Sequence, residues 1–221
     1  MTETRAQQAV SLLEHEPMPR NLSGRCSLRL KDFDYTAPGA YFVTICTMNK
    51  KCLFGRITNE ELKLSETGRI VEAEWLNVEV ARPNVKLDQF VVMPNHFHGI
   101  LWIEEKNEGT ECRGTASCAP TFPALPRFGH VVSGSLSAII RGFKSAVTNR
   151  FNKMTNTGGN TLWQRNFYEH VIRNERSLNR IREYIVNNPL SWELDRENPE
   201  MKGEDGFYKW LASFKTLPKK P

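Results

Sequence analysis

The stretch MPNHFHGILWI, residues 93–103, places two of the chain's five histidines one residue apart at the mouth of an apolar run. Its phenylalanine, isoleucines and tryptophan favour extended backbone, so the run reads as a β-strand. Side chains alternate faces along a strand, which puts His96 and His98 on one face and Phe97 on the other. Two imidazoles aimed the same way from a rigid element can act as a two-point clamp for a metal ion. The same spacing also fits one histidine at the strand end and one facing solvent, so the pair needs support from elsewhere in the chain.

Working outward, residues 85–93 (VKLDQFVVM) form a second strand joined to the first by Pro94-Asn95 alone. So short a link predicts an antiparallel hairpin. Before it, Ser65 is placed to cap a helix over 66–80 with Val71, Trp75 and Val78 on one face, stopped by Arg82-Pro83-Asn84. Residues 39–48 (GAYFVTICTM) make another strand, followed by a basic turn at Asn49-Lys50-Lys51 and a short strand near 62–64. After the hairpin, Leu136, Ile140, Phe143, Val147 and Phe151 form a helical stripe. Residues 163–172 (WQRNFYEHVI) contain a short edge strand, and a helix runs from 175 to about 188, closed by Pro189. The order β, α, β, β, α, β with an added C-terminal helix is the plan of an α+β, ferredoxin-like (RRM-like) antiparallel sheet. Helices are expected on one face and an open surface on the other.

The 221 residues suit one domain with tails: a mobile leader at 1–30, a main domain at 31–190 interrupted by a polar insertion at about 104–132, and a wrapping tail at 191–221. Five cysteines (Cys26, Cys46, Cys52, Cys112, Cys118) without a C-x-x-C pair argue against a structural zinc site or a disulfide framework. There is no signal-peptide pattern and no apolar run near 18 residues, so a soluble cytoplasmic protein without membrane association is expected. The net charge of +5 is uneven: residues 131–190 hold nine lysines and arginines against three acids. A local cation surplus is the usual footprint of a polyanionic partner, although a solvated helix surface gives the same pattern.

On the late helix, Leu178, Ile181 and Ile185 share the buried stripe. Tyr184 stands at its edge, with Arg180 and Asn188 one turn away on either side. By itself such a tyrosine also fits a boundary residue that packs its ring and wets its hydroxyl. Together, however, His96-Phe97-His98, Tyr184 and Asn188 resemble the single-tyrosine HUH transposases, and most of all the REP-associated tyrosine transposases of bacteria. Further matching stretches are Ala40-Tyr41-Phe42-Val43-Thr44, Met93-Pro94-Asn95, Gly142-Phe143-Lys144-Ser145, Leu162-Trp163-Gln164-Arg165, Tyr168-Glu169-His170-Val171-Ile172-Arg173 and Asn187-Asn188-Pro189.

The resemblance implies that His96 and His98 are metal ligands and that Tyr184 is the nucleophile. Asn188 stands where many relatives have a glutamine at the metal site, and its shorter side chain implies a longer or water-mediated contact. Tyr168 is a rival nucleophile, off the matched position. The implied reaction is nicking and rejoining of single-stranded or hairpin DNA through a 5′-phosphotyrosine, with Mg²⁺ or Mn²⁺ as Lewis acid. A nucleoid-associated protein, monomeric or dimeric, is the implied setting. Arg141, Lys144, Arg165 and Arg173 are expected phosphate contacts on a strand lying across the open sheet face, and Arg180 is expected to favour the Tyr184 phenolate. Two other classes stay open: a ferredoxin-like nucleic-acid-binding module without turnover, and a metal-dependent nuclease that uses water.

Overall fold

The computed structural model describes residues 33–59, 61–105, 132–159, 161–201 and 203–213, all of them within one unit, Phe33–Pro221. The expected leader at 1–30 lies outside the described residues, as do 106–131 of the expected insertion and 214–221 of the tail. Ten regular elements form the described chain: β1 (Gly39–Cys46), β2 (Gly55–Thr58), β3 (Glu61–Leu64), α1 (Glu66–Ala81), β4 (Val85–Val92), β5 (His96–Ile103), α2 (Leu136–Thr155), β6 (Tyr168–Ile172), α3 (Glu175–Asn187) and α4 (Gly206–Ser213).

The main sheet has the order β4-β5-β1-β6, with every neighbouring pair antiparallel. Two βαβ crossovers, one through α1 and one through α2, produce this order, which is the ferredoxin-like arrangement. The hairpin expected from Pro94-Asn95 joins β4 to β5, and β6 is the edge strand. β2 pairs only with β3 in a small separate ribbon. The sequence reading included β3 but not β2, a four-residue strand with alternating exposed positions and no apolar periodicity.

Local chemistry accounts for the helix ends. The Ser65 and Ser135 hydroxyls accept from the backbone N–H of Gly68 and Ala138, capping α1 and α2. Asn174 caps α3 by accepting from the Ser177 N–H at 2.8 Å. Asp205 starts α4 by accepting from the N–H groups of Phe207 and Tyr208.

Each face of the sheet supports a core. On one face α1 and α2 bury Val71, Trp75, Ile140, Phe143 and Val147 against Val43, Ile45, Phe97 and Leu101. Full burial of side chains of this size is worth about 1.5–3 kcal/mol each. Gly99 permits the closest approach there, because a Cβ at this position would stand 2.8 Å from the Trp75 and Phe97 rings. On the other face α3 and α4 place Leu178, Ile181, Ile185, Tyr208 and Leu211 on Ala40, Phe42 and Ile100. This second layer corrects the expectation of an open surface. The face that carries the histidines is covered, and α4, read from the sequence as part of a tail with scattered aromatics, is half of its cover. α3 is also held to β4 by Arg182, whose Nε and terminal N–H donate to the two Asp88 carboxylate oxygens at 2.9 and 2.6 Å.

Candidate metal centre and its tyrosine

β5 sets His96 and His98 on the face toward α3 and α4, opposite Cys46 and Thr44 of β1. Both rings are fully buried. Their Nε2 atoms converge to 2.9 Å. Asp195, itself 2% exposed, brings Oδ2 to 3.6 Å from His96 Nε2 and 3.9 Å from His98 Nε2. These three residues make a buried group whose donor atoms all lie within 4.8 Å of one another. Donors around a cation at about 2.1 Å stand roughly 3.0–3.4 Å apart in octahedral or tetrahedral arrangements. The 2.9 Å separation of the imidazole nitrogens is close to that range, and the 3.6 and 3.9 Å separations to Asp195 are a few tenths of an ångström longer.

Asp195 arrives by a tight reversal after α3. Ser191 N–H donates to Asn187 and Asn188 carbonyls, and a 3-10 turn at Trp192–Leu194 brings the chain back. Asn188 Nδ2 then donates to Asp195 Oδ2 at 2.8 Å, and the Glu197 N–H donates to Asp195 Oδ1 at 2.6 Å. The remaining Asn188 atom, Oδ1, is buried without a hydrogen-bond partner among the described residues. A buried amide oxygen left bare on the residue that holds Asp195 is the kind of orphan a cation would satisfy. Thus Asn188 does reach the cluster, while Asp195, which the sequence reading missed, makes the closer approach to the imidazoles.

Tyr184, one turn before Asn188 on α3, points its hydroxyl into the same cluster. The oxygen lies 3.3 Å from His98 Nε2 and donates to Asp195 Oδ2 at 3.4 Å. Phe207 of α4 lies flat on its ring, with centroids 3.6 Å apart and planes 5° from parallel, and Phe42 meets it edge-on. This packing fixes the direction of the hydroxyl.

The electrostatics follow from burial. It holds His96 neutral, with a pKa lowered to about 3, the neighbouring His98 acting in the same direction. Burial pushes the Tyr184 phenol far above its ordinary range, and nearby Tyr208, Asp195 and Asp205 add to the effect. For Asp195 burial acts upward, but hydrogen bonds from His98 and from the Asn188 amide outweigh it and hold the carboxyl ionised, below its usual range.

The expected cations stand elsewhere. Arg180 lies over the Trp210 ring at 4.3 Å. Lys144 donates to the carbonyls of Gln164, Arg165 and Asn166, at 2.6 Å for the first, and burial lowers its pKa to about 8. It ties the loop before β6 to α2 and is committed to the protein. Arg141, Arg165 and Arg173 are exposed, Arg141 on α2 and the other two flanking β6. Tyr168 faces Tyr208 edge-on at 5.5 Å, and burial raises its pKa to about 12. A signal for Asp195 is hard to find in the sequence, since its position depends on the turn after α3 and on no periodic pattern.

No family model matches the chain. A curated Haemophilus influenzae protein described only as "Uncharacterized protein" is 44% identical over 172 residues, covering 78% of this chain and 92% of the relative. Among solved structures, that of the REP-associated tyrosine transposase bound to a REP hairpin is 20% identical, covers 74% of each chain and superposes with a TM-score of 0.49. A Deinococcus radiodurans protein described as a candidate transposase is 16% identical, with 72% of this chain and 97% of that chain covered and a TM-score of 0.37. At these identities and scores neither structure bears on what this chain does. Among the described residues no helix is long and apolar enough to cross a membrane.

Proposed function

We propose a function for a chain that belongs to one family with the Haemophilus influenzae protein: it nicks and rejoins single-stranded or hairpin DNA through a 5′-phosphotyrosine on Tyr184. The observation that carries the reading is the Tyr184 hydroxyl at 3.3 Å from His98 Nε2 and 3.4 Å from Asp195 Oδ2, beside three converging ligand atoms. The sequence motifs shared with the single-tyrosine HUH transposases support it.

His96, His98 and Asp195 would hold the divalent ion, and the bare Oδ1 of Asn188, whose Nδ2 donates to Asp195, is a candidate further donor. Two imidazoles and one carboxylate favour Mn²⁺ over Mg²⁺, which prefers an all-oxygen shell. When bound, the ion supplies Lewis-acid stabilisation of charge at the scissile phosphate. Tyr184 Oη forms the new bond to phosphorus as the bond from phosphorus to the 3′ oxygen breaks. The phenol proton passes to solvent as the bond forms and the departing 3′ oxygen takes one up as a hydroxyl, so the step is proton-neutral. One phosphodiester replaces another, so the reverse attack by a 3′-OH rejoins the strand without an energy source. Phe42 and Phe207 hold the phenol in line, an orienting role. Because α3 and α4 cover the sheet, the DNA approaches at the edge of this layer, where the exposed Arg165 and Arg173 are the proposed phosphate contacts.

A second reading, a metal-dependent nuclease that uses water, is favoured by one observation: burial keeps the Tyr184 hydroxyl protonated. Incubation of the protein with a labelled hairpin oligonucleotide and Mn²⁺ separates the two. The tyrosine mechanism predicts a denaturation-resistant protein–DNA band that Tyr184→Phe abolishes while still binding the DNA. Cleavage that persists in Tyr184→Phe supports the water mechanism.

A further inference from the structure

Asn95 is fully buried at the turn of the β4–β5 hairpin. Its Nδ2 donates to the Lys50 carbonyl at 3.1 Å and to the Glu197 carbonyl at 2.7 Å. Its Oδ1 lies 2.8 Å from His96 Nδ1. The two carbonyls fix which way the amide points, because the reversed amide would set its own oxygen against both of them and leave them unpaired. The atom facing His96 is therefore an oxygen, which can only accept, and His96 Nδ1 must carry a hydrogen. A neutral imidazole has a single N–H, so Nε2 is left as a bare lone pair. The ring is fully buried, which favours its neutral form.

We infer that Asn95 is the positioning residue of the site: pinned by the turn after β1 and by the turn that carries Asp195, its amide holds His96 as the Nδ1–H tautomer and aims a bare Nε2 at His98 and Asp195. The inference rests on His96 being a cation ligand for its purpose, but the tautomer itself does not depend on that reading. Metal-bound histidines commonly donate their second N–H to such an outer partner, which fixes ring orientation and raises basicity.

The pattern of hydrogens then spreads through the cluster. A bare His96 Nε2 accepts the 2.9 Å hydrogen bond from His98, which makes His98 the Nε2–H tautomer. His98 Nδ1 in turn accepts from the Thr44 hydroxyl at 2.9 Å, and Thr44 Oγ1 accepts from Tyr208 at 2.8 Å. His96 is thus preset for a cation. His98 has to shift its hydrogen to Nδ1, with the Thr44 hydroxyl reversing to accept it. The Glu197 carbonyl also makes the tautomer of His96 depend on the turn that delivers Asp195, so two of the ligands are set by one amide.

The test uses the full-length protein with ¹⁵N-labelled histidine, stripped of metal by chelation, at a pH where free imidazole is neutral. Two-dimensional NMR of the ring nitrogens is expected to show His96 as Nδ1–H and His98 as Nε2–H. Added Zn²⁺, a diamagnetic ion that imidazole and carboxylate ligands hold well, is expected to switch His98 and leave His96 unchanged. Asn95→Asp keeps an accepting oxygen at His96 but sets its second oxygen against the Lys50 and Glu197 carbonyls, so it is expected to keep the His96 tautomer at reduced stability. Asn95→Ala is expected to lose it and to weaken Mn²⁺ binding, measured by calorimetry, by about 10–100-fold. His96 found as Nε2–H in the unmodified protein overturns the inference, as does an Asn95→Ala protein that keeps both tautomer and affinity. If Asn95→Ala does not fold, the unmodified protein and Asn95→Asp decide the matter. Failure to form a DNA adduct with the expected tautomers in place counts against the proposed function alone.

Discussion

The two faces of β5 do different work with the same eight residues. Phe97, Leu101 and Ile103 point into the core under α1 and α2, and Gly99 leaves room there for the Trp75 indole. His96 and His98 point the other way, under α3 and α4, into a buried cluster of imidazoles, a carboxylate, an amide and a phenol. Burial on the first face removes apolar surface from water and stabilises the fold. Burial on the second costs free energy unless each polar group finds a partner. Here nearly all do, and Asn188 Oδ1 is an exception, buried without a hydrogen-bond partner among the described residues. A strand shared in this way lets a rigid apolar core fix the spacing of two ligands without either contributing to it.

Variants on the two faces should therefore separate stability from metal binding. Phe97→Ala is expected to lower unfolding free energy by about 3–5 kcal/mol, read by urea denaturation, while Mn²⁺ affinity in the folded protein changes little. Asp195→Ala should do the reverse, weakening Mn²⁺ binding at least 100-fold (about 3 kcal/mol) by calorimetry, since it removes the only carboxylate of the cluster. A loss under threefold would remove Asp195 from the ligand set. Gly99→Ala should cost about 1–3 kcal/mol of stability, because its Cβ would meet two aromatic rings at 2.8 Å. The smallest effect belongs to the tether between the layers: a double-mutant cycle on Asp88 and Arg182 should give a coupling of about 1 kcal/mol, with the arginine side chain 39% exposed. A coupling near zero would mean that apolar packing alone seats α3.

The core face was legible in the sequence because its signals are periodic. Val71, Trp75 and Val78 repeat at helical spacing, and the alternation along β5 places Phe97 opposite the histidines. The covering of the second face was less legible, since α4 is only eight residues long and its aromatics, Phe207, Tyr208 and Trp210, sit in a polar stretch. Tyr184 and Asn188 were visible as neighbours on one helix face. Asp195 was not, because a non-periodic turn and contacts with Asn188 and Glu197 set its position. The partners of Arg180 and Lys144 were hidden for a related reason: a cation on a helix has the same sequence signature whether it meets phosphate, an indole ring or a row of carbonyls. The Asn95 side chain lay inside the motif that opened the reading, but its meaning depends on carbonyls 45 residues before and 102 residues after it.

The central claim is that the Tyr184 oxygen becomes joined to DNA. The direct measurement is to trap the protein with a hairpin oligonucleotide and Mn²⁺, digest it, and locate the nucleotide-bearing peptide by mass spectrometry. The account predicts a 5′-phosphodiester on Tyr184 and on no other tyrosine. A nucleotide on Tyr168 or Tyr208, or cleaved DNA with no nucleotide on the protein, would contradict it.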